Sequence, residues 1–262
     1  MYDDFSQDYD RFVDWPGRLA VELPFLEARL KEGGARRVLD AACGTGMHAL
    51  ALAERGYEAA GADVSPGMIQ QAQANAAGAR LSAQWAVAAF GELKAAFPAP
   101  FDAVLCLGNS LPHVLTPAAL AETLSDFAAC LRPGGLLLVQ NRNFDAVLRE
   151  RQRWMEPQGH RSGDREWLFL RFYDFEADGQ ITFHVVRLQR QGDAPWSQAI
   201  TSTRLWPQQR ADLEPALQAA GFGQVTLWGN LQGAPFRPES SPNLVLAARR
   251  GGCSTGDDPK GD

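Results

Sequence analysis

The chain has 262 residues, 45% of them hydrophobic, and a formal net charge of −6. That is enough apolar material for one large α/β domain, or for one domain carrying an insertion. The acid excess argues against a chain that grips a phosphate backbone and favours a small-molecule substrate.

The first seventeen residues are acidic and aromatic, with Tyr2, Phe5, Tyr9, Phe12 and Trp15. They are compatible with a lid over a site or with packing against the next helix. Pro16-Gly17 breaks this run, and Leu19, Leu23, Leu26 and Leu30 recur at helical spacing, which predicts a lead-in helix over 18–31. Residues 37–41 read as a buried strand, and a helix over 47–55 ends at the C-cap Gly56. A second strand covers 59–63, and Ser65-Pro66 supplies the N-cap and first position of a helix to about 76. Strand three is expected over 81–88, a helical turn over 92–97, and an almost wholly apolar strand over 101–107. A helix from Pro117 to about 131, a turn over 132–135 and a fifth strand over 136–140 follow. Strand and helix in alternation predict a doubly wound, mostly parallel sheet.

The rhythm changes after Asp145. Residues 167–175 and 181–188 flank the turn Asp178-Gly179, and 200–206 supply a third strand, so 150–207 reads as an antiparallel β insertion. A helix over 208–220 and strands over 225–228 and 244–248 complete a seven-stranded sheet. Residues 1–250 thus form one domain, with 1–35 as N-terminal lid and lead-in helix, and the small, polar stretch 251–262 is expected to be disordered. Among Cys43, Cys106, Cys130 and Cys253 no pair has C-x-x-C spacing, so neither a zinc site nor a redox motif is signalled. The first three lie in apolar surroundings, which suits buried free thiols in a reducing cytoplasm. The acidic N-terminus lacks a signal-peptide pattern, and no apolar run is long enough to span a membrane.

Chemistry concentrates at the carboxyl ends of the strands, where open α/β sheets bind ligands. Strand one leads into Asp40-Ala41-Ala42-Cys43-Gly44-Thr45-Gly46, a carboxylate followed by a tight glycine turn. The glycines let a ligand approach the backbone, and the next helix presents unpaired N–H groups. Gly44-Thr45-Gly46-Met47-His48-Ala49 also fits the loose dinucleotide pattern. Asp40 works against a pyrophosphate and suits a ligand with cationic or hydrogen-bond-donating groups. Asp63 follows 23 residues later, placed to accept from two ribose hydroxyls or to sit at a helix N-terminus. Strand four ends in Gly108-Asn109-Ser110-Leu111-Pro112-His113. Asn109 is there either a polar group at the reacting centre or a turn residue. His113 is a base, a ligand contact or a packing residue. Arg142, just past strand five, suits a carboxylate bidentately or pairs with Asp145 on the surface.

Val38-Leu39-Asp40 with Gly44-Thr45-Gly46 resembles motif I of class I S-adenosylmethionine-dependent methyltransferases. Gly108-Asn109-Ser110, His113 and Arg142-Asn143-Phe144-Asp145, with Asp14-Trp15, Arg18 and Glu22 upstream and Pro238-Glu239-Ser240 downstream, resemble the glycine and sarcosine N-methyltransferases. The resemblance spans nearly the whole chain except the tail and is least specific over 150–207. It implies a Rossmann-like methyltransferase fold with S-adenosyl-L-methionine as cofactor and a small carboxylate-bearing amine, such as glycine or sarcosine, as acceptor. It further implies that Arg18 pairs with the cofactor's carboxylate, that Asp40, Ala42, Gly44 and Gly46 line its methionine part, and that Asp63 holds the ribose. Val64, Met68 and Phe90 flank the adenine, Leu107 and His113 contact the methionine end, and Asn109 and Arg142 position the substrate carboxylate. Two departures stand out. Ala89-Phe90 replaces the family's Asp-Trp or Asn-Trp, so Ala89 offers adenine no side-chain hydrogen bond. Leu111, Asn141 and Phe144 also differ from the family pattern. Alternatives are O- or C-methylation of another small acid, or S-adenosylmethionine binding without turnover.

Overall fold

The computed structural model describes residues 10, 11 and 13–252. The lid reading of residues 1–17 and the disordered-tail reading therefore fall largely outside the described residues.

Five parallel strands come first: β1 (Arg37–Asp40), β2 (Glu58–Asp63), β3 (Gln84–Val87), β4 (Phe101–Cys106) and β5 (Leu131–Arg142). The accompanying helices are α1 (Trp15–Glu32), α2 (Met47–Glu54), α3 (Pro66–Ala79), the single turn α4 (Leu93–Ala96) and α5 (Pro117–Cys130). Later in the chain, β10 (Phe222–Trp228) and β11 (Asn243–Arg250) complete a seven-stranded sheet of order β10-β11-β5-β4-β1-β2-β3, with β11 antiparallel to both neighbours. The apolar runs of β4 and β5 are buried because helices cover both faces. Leu39, Val104 and Val139 pack on one face with Phe127, while Leu105 and Leu138 pack on the other with Leu26 and Leu52.

Several predicted boundaries move. Pro16-Gly17 starts α1 rather than breaking the chain: the Asp14 carboxylate caps Gly17 N–H at 3.2 Å, and proline in a first turn has no lost N–H to satisfy. Helix α3 continues through Gly78, so β3 begins at Gln84 and not at residue 81. The predicted turn at 132–135 is an excursion inside β5, where pairing jumps from Phe101–Leu131 to Ala103–Leu136.

The block after Asp145 is a separate antiparallel sheet of four strands, β6 (Gln158–Ser162), β7 (Arg165–Phe175), β8 (Ile181–Gln191) and β9 (Ser197–Leu205), in that order. β6 has no alternating apolar signal, being polar throughout, and escapes pattern reading. The short helix α6 (Phe144–Glu150) buries Phe144 and Val147 against Tyr173, Ile181 and Leu205 of this sheet. Trp206 N–H donates to the Pro112 carbonyl at 2.9 Å and Gln180 Nε2 to the Leu115 carbonyl at 3.2 Å. These bonds hold the second sheet against the loop after β4. Helix α7 (Arg210–Ala219) follows, its N-terminal turn tied to Asp145 through Arg210 N–H at 3.2 Å. No helix among the described residues is long and apolar enough to cross a membrane.

Gly46 is the tightest point of the first βα turn. Its φ is +81°, and a Cβ there would lie 2.5 Å from the Trp85 ring. Gly46→Ala is expected to destabilise the protein by roughly 2–4 kcal/mol, combining a left-handed backbone with overpacking. The readout is the urea midpoint at unchanged m-value.

Candidate active site

Strand β1 delivers Asp40 to the carboxyl end of the sheet, where it is only 2% exposed. Ala42 N–H donates to its carboxylate, yet Oδ1 is buried with no hydrogen-bond partner. A buried carboxylate oxygen without a donor is costly and rare. Burial pushes the Asp40 pKa up to about 6, and the nearby Asp63 charge adds to this, while His48, the Ala42 N–H and Arg18 oppose it. The residue therefore stands ready for a cationic or donating ligand group. Around it lies a small cavity lined by Trp15, Arg18, Ala42, Gly44, Leu107 and Ser110, among others.

Helix α1 supplies the cation of this cavity. Arg18 lies over the Trp15 ring at 5.2 Å and donates through Nε to Glu22 at 3.0 Å. The other Glu22 oxygen meets His48 Nε2 at 2.7 Å, and Trp15 stands edge-on to His48. Arg18 is thus held by a half-buried chain running into α2. Asp10 adds a second tie, accepting from Trp15 Nε1 at 2.9 Å, Thr45 Oγ1 at 2.6 Å and Asn75 Nδ2 at 3.2 Å. The glycine turn is fastened from above by the segment that precedes α1.

A larger cavity of about 520 Å³ opens on the β2–β3 side. Asp63 lines it, with Oδ2 accepting from Gly44 N–H and Oδ1 from Ser65 N–H, both at 2.9 Å. Val64, Met68, Phe90 and His113 line the same cavity, as do Ala42 and Gly44. Val64 is 64% exposed, an apolar side chain at the cavity mouth. Phe90 is braced edge-on by Phe127 at 5.4 Å. The loop carrying Phe90 is fixed by Asp126, whose carboxylate accepts from Gly91, Leu93 and Lys94 N–H groups. Gly46 is not among the residues lining either cavity, and a Cβ added to it would meet Trp85 and Ala72. Glu122 and Thr123 of α5 and Thr203 of β9 also line the larger cavity. Spacing around the first turn carries no signal for them, since the fold brings them in from afar.

The loop after β4 is clamped to β5. Gly108 N–H donates to Gln140 Oε1 at 2.8 Å, Asn109 N–H to the Gln140 carbonyl at 3.0 Å, and Arg142 N–H to Asn109 Oδ1 at 2.8 Å. Gly108 and Asn109 both have positive φ, +72° and +66°, a conformation glycine and asparagine tolerate best. The Asn109 side-chain carbonyl is thus committed to the loop. Arg142 donates through Nη2 to Gln152 at 3.1 Å, and its guanidinium also reaches the Tyr173 hydroxyl. Neither Asn109 nor Arg142 is among the residues lining the two cavities above. The alternative Arg142–Asp145 surface pair is not formed; Asp145 is turned to the start of α7. Asn143 is structural, capping α6 and donating to the Pro238 and Ser241 carbonyls. Burial lowers His113 to a pKa of about 4, so at neutral pH its ring is uncharged and a poor base.

The donor set fits S-adenosylmethionine. Asp40 offers an open acceptor for the ammonium, Arg18 a held cation for the carboxylate, and Asp63 acceptors for the ribose hydroxyls. A family model described as a methyltransferase domain matches residues 38–135. Two glycine/sarcosine N-methyltransferases are similar in sequence. That of Parasynechococcus marenigrum is 38% identical over 146 residues, 56% of this chain and 52% of that protein. That of Aphanothece halophytica is 29% identical over 228 residues, 87% of this chain and 82% of that one. The chain thus spans about half the length of the first relative and most of the second. A solved S-adenosylmethionine-dependent methyltransferase from Clostridium acetobutylicum superposes with a TM-score of 0.78 at 16% identity, covering 96% of this chain and 99% of that one. The S-adenosylmethionine-bound amino pentose methyltransferase CalS10 from Micromonospora echinaspora gives 0.72 at 21%, covering 94% and 96%. Residues 38–135 thus match a methyltransferase domain, the fold is that of solved S-adenosylmethionine-dependent methyltransferases, and the sequence is similar to glycine/sarcosine N-methyltransferases.

Proposed function

We propose that the chain transfers a methyl group from S-adenosylmethionine to the nitrogen of a small carboxylate-bearing amine, such as glycine or sarcosine. The observation that carries this reading is the partnerless, buried Asp40 oxygen beside the held Arg18. A carboxylate and a guanidinium side by side match the ammonium and carboxylate of an amino-acid moiety. The names of the similar proteins support the choice of acceptor. The buried free thiols Cys43, Cys106 and Cys130 support a reducing compartment such as the cytoplasm.

Bound there, S-adenosylmethionine supplies a methyl group activated on a sulfonium. The chain's own part is placement and charge. Trp15, Glu22 and His48 keep Arg18 from swinging away. Asn109 and Arg142 hold the acceptor carboxylate, so that its nitrogen is presented in one orientation. Orientation of this kind can supply roughly 7–11 kcal/mol of a barrier. The acceptor must be a neutral amine to have a lone pair. The positive charge of Arg142 works in that direction, disfavouring the ammonium form. His113 is too weak a base to take the proton, which leaves to water.

Arg142→Ala is expected to raise the acceptor KM about 30-fold or more, the loss of a charged bidentate contact. Cofactor affinity should stay within about twofold. The check is S-adenosylhomocysteine production with glycine, sarcosine and dimethylglycine, beside calorimetric cofactor titration. Absence of turnover on every amine, with cofactor still bound, would overturn N-methylation.

Asp40 makes a pH prediction. Its folded pKa, about 6, lies above the ordinary carboxylate value of 3.8, so folding takes up a proton between these values. Stability of the cofactor-free protein then falls as pH rises through that window, by about 3 kcal/mol in total. Cofactor affinity runs the other way, rising with pH through about 6 as Asp40 ionises. Asp40→Asn should raise the cofactor-free Tm at pH 8, weaken cofactor binding, and flatten both profiles. Thermal melts and titrations between pH 5 and pH 8 measure this.

A further inference from the structure

Helix α5 turns one stripe toward the larger cavity and the loop after β3. Ala119, Glu122, Thr123 and Asp126 recur at helical spacing and share a face. Ala119, Glu122 and Thr123 line the cavity. Asp126 instead accepts from Gly91 N–H at 2.9 Å, Leu93 N–H at 2.9 Å and Lys94 N–H at 3.0 Å. The loop is therefore strapped to α5 just after Ala89-Phe90, and Phe90 packs edge-on against Phe127 of the same helix. Ala89 and Phe90 line the cavity that Glu122 lines. One helical turn advances about 5.4 Å, so Glu122 stands one such step from the strap, on the cavity side of it.

The carboxylates around this cavity differ in what they hold. Asp63 accepts from Gly44 and Ser65 N–H groups. Glu92, in the loop itself, accepts from Ala89 N–H at 3.1 Å. Asp126 is occupied by the strap. Glu122 is exposed and takes no such backbone donor among the described residues. Its neighbours in the cavity lining include the apolar Val64, Met68, Ala89, Phe90 and Val114. An apolar slot with one carboxylate at its rim fits a flat heteroaromatic ring that carries an amine on its edge. A carboxylate only accepts, so it selects a donor at that edge. Ala89, with a methyl side chain, offers that donor nothing.

We propose that Glu122 of α5 accepts a hydrogen bond from the 6-amino group of the cofactor's adenine, and so supplies base specificity from a helix rather than from the loop after β3. The proposal rests on S-adenosylmethionine as cofactor, with its adenine in the larger cavity. It is independent of the methyl acceptor.

The test is calorimetric titration of the full chain, as wild type, Glu122→Ala and Glu122→Gln. The two ligands are S-adenosylhomocysteine and its purine analogue, in which hydrogen replaces the 6-amino group. Wild type is expected to bind S-adenosylhomocysteine about tenfold more tightly than the analogue, as one charge-assisted hydrogen bond gives. In Glu122→Ala the two ligands should bind within about twofold of each other, through loss on S-adenosylhomocysteine alone. Glu122→Gln keeps an acceptor oxygen without the charge and should show an intermediate ratio. An undiminished ratio in Glu122→Ala, or equal losses on both ligands, overturns the proposal, because a merely structural role weakens both alike. Tight binding of both ligands by wild type sinks the Glu122 assignment and leaves the cofactor reading standing. Failure of wild type to bind S-adenosylhomocysteine sinks both. If Glu122→Ala fails to fold, the ratio in Glu122→Gln decides: a value equal to that of wild type overturns the proposal.

Discussion

The site is built around one unfavourable placement, a carboxylate buried at the end of β1 with an oxygen that no donor among the described residues reaches. Such a group lowers stability until a ligand arrives, and its neighbourhood limits the penalty without removing it. Ala42 N–H bonds the second oxygen, and Arg18 and His48 lend positive potential from a distance. Neither cation closes on Asp40, because Glu22 holds both. The same carboxylate, Glu22, steadies both cations beside Asp40. Strain and preorganisation are here two aspects of one arrangement.

The second organising element is the clamp between the β4 loop and β5. Two successive residues with positive φ would make an adaptable loop on their own. Gln140 and Asn109 remove that freedom with three hydrogen bonds between 2.8 and 3.0 Å. The backbone at Gly108 becomes a fixed partition point among the cavities. The Asn109 side-chain carbonyl is spent on this clamp. Gln140, which makes the clamp, has no motif of its own and is found only once the strands are paired.

Much of the fold was legible in the sequence because its signals are local. The alternation of apolar strands and capped helices gives the parallel sheet, and Ser65-Pro66 starts α3 as its chemistry requires. Asp40 and Asp63 could be singled out because strand ends and glycine turns fix where a carboxylate must lie. Legibility stopped where contacts are distant. Pro16-Gly17 read as a break, since the Asp14 cap that makes it a helix start depends on geometry and not on pattern. β6 carries no apolar alternation, being an edge strand. Thr203, Glu122 and Arg171 reach the cleft from separate elements, and only the folded sheet order brings them there. Asn143 and Asp145 looked like parts of a site and turn out to fasten the 237–241 loop and α7.

The second sheet borders the cleft through Thr203 of β9, beside the larger cavity, and through Gln158 of β6 and Arg171 of β7, beside a further cavity that Arg18 and Gly108 also line. Those strands belong to one continuous hydrogen-bonded ladder through β8. A rigid body in contact with two ligands makes their affinities interdependent. If seating one ligand shifts the sheet, the other feels the shift, and the two effects on affinity are equal in size by thermodynamic reciprocity. The insertion thus links the cavities it borders, so that filling one can change the affinity of the other.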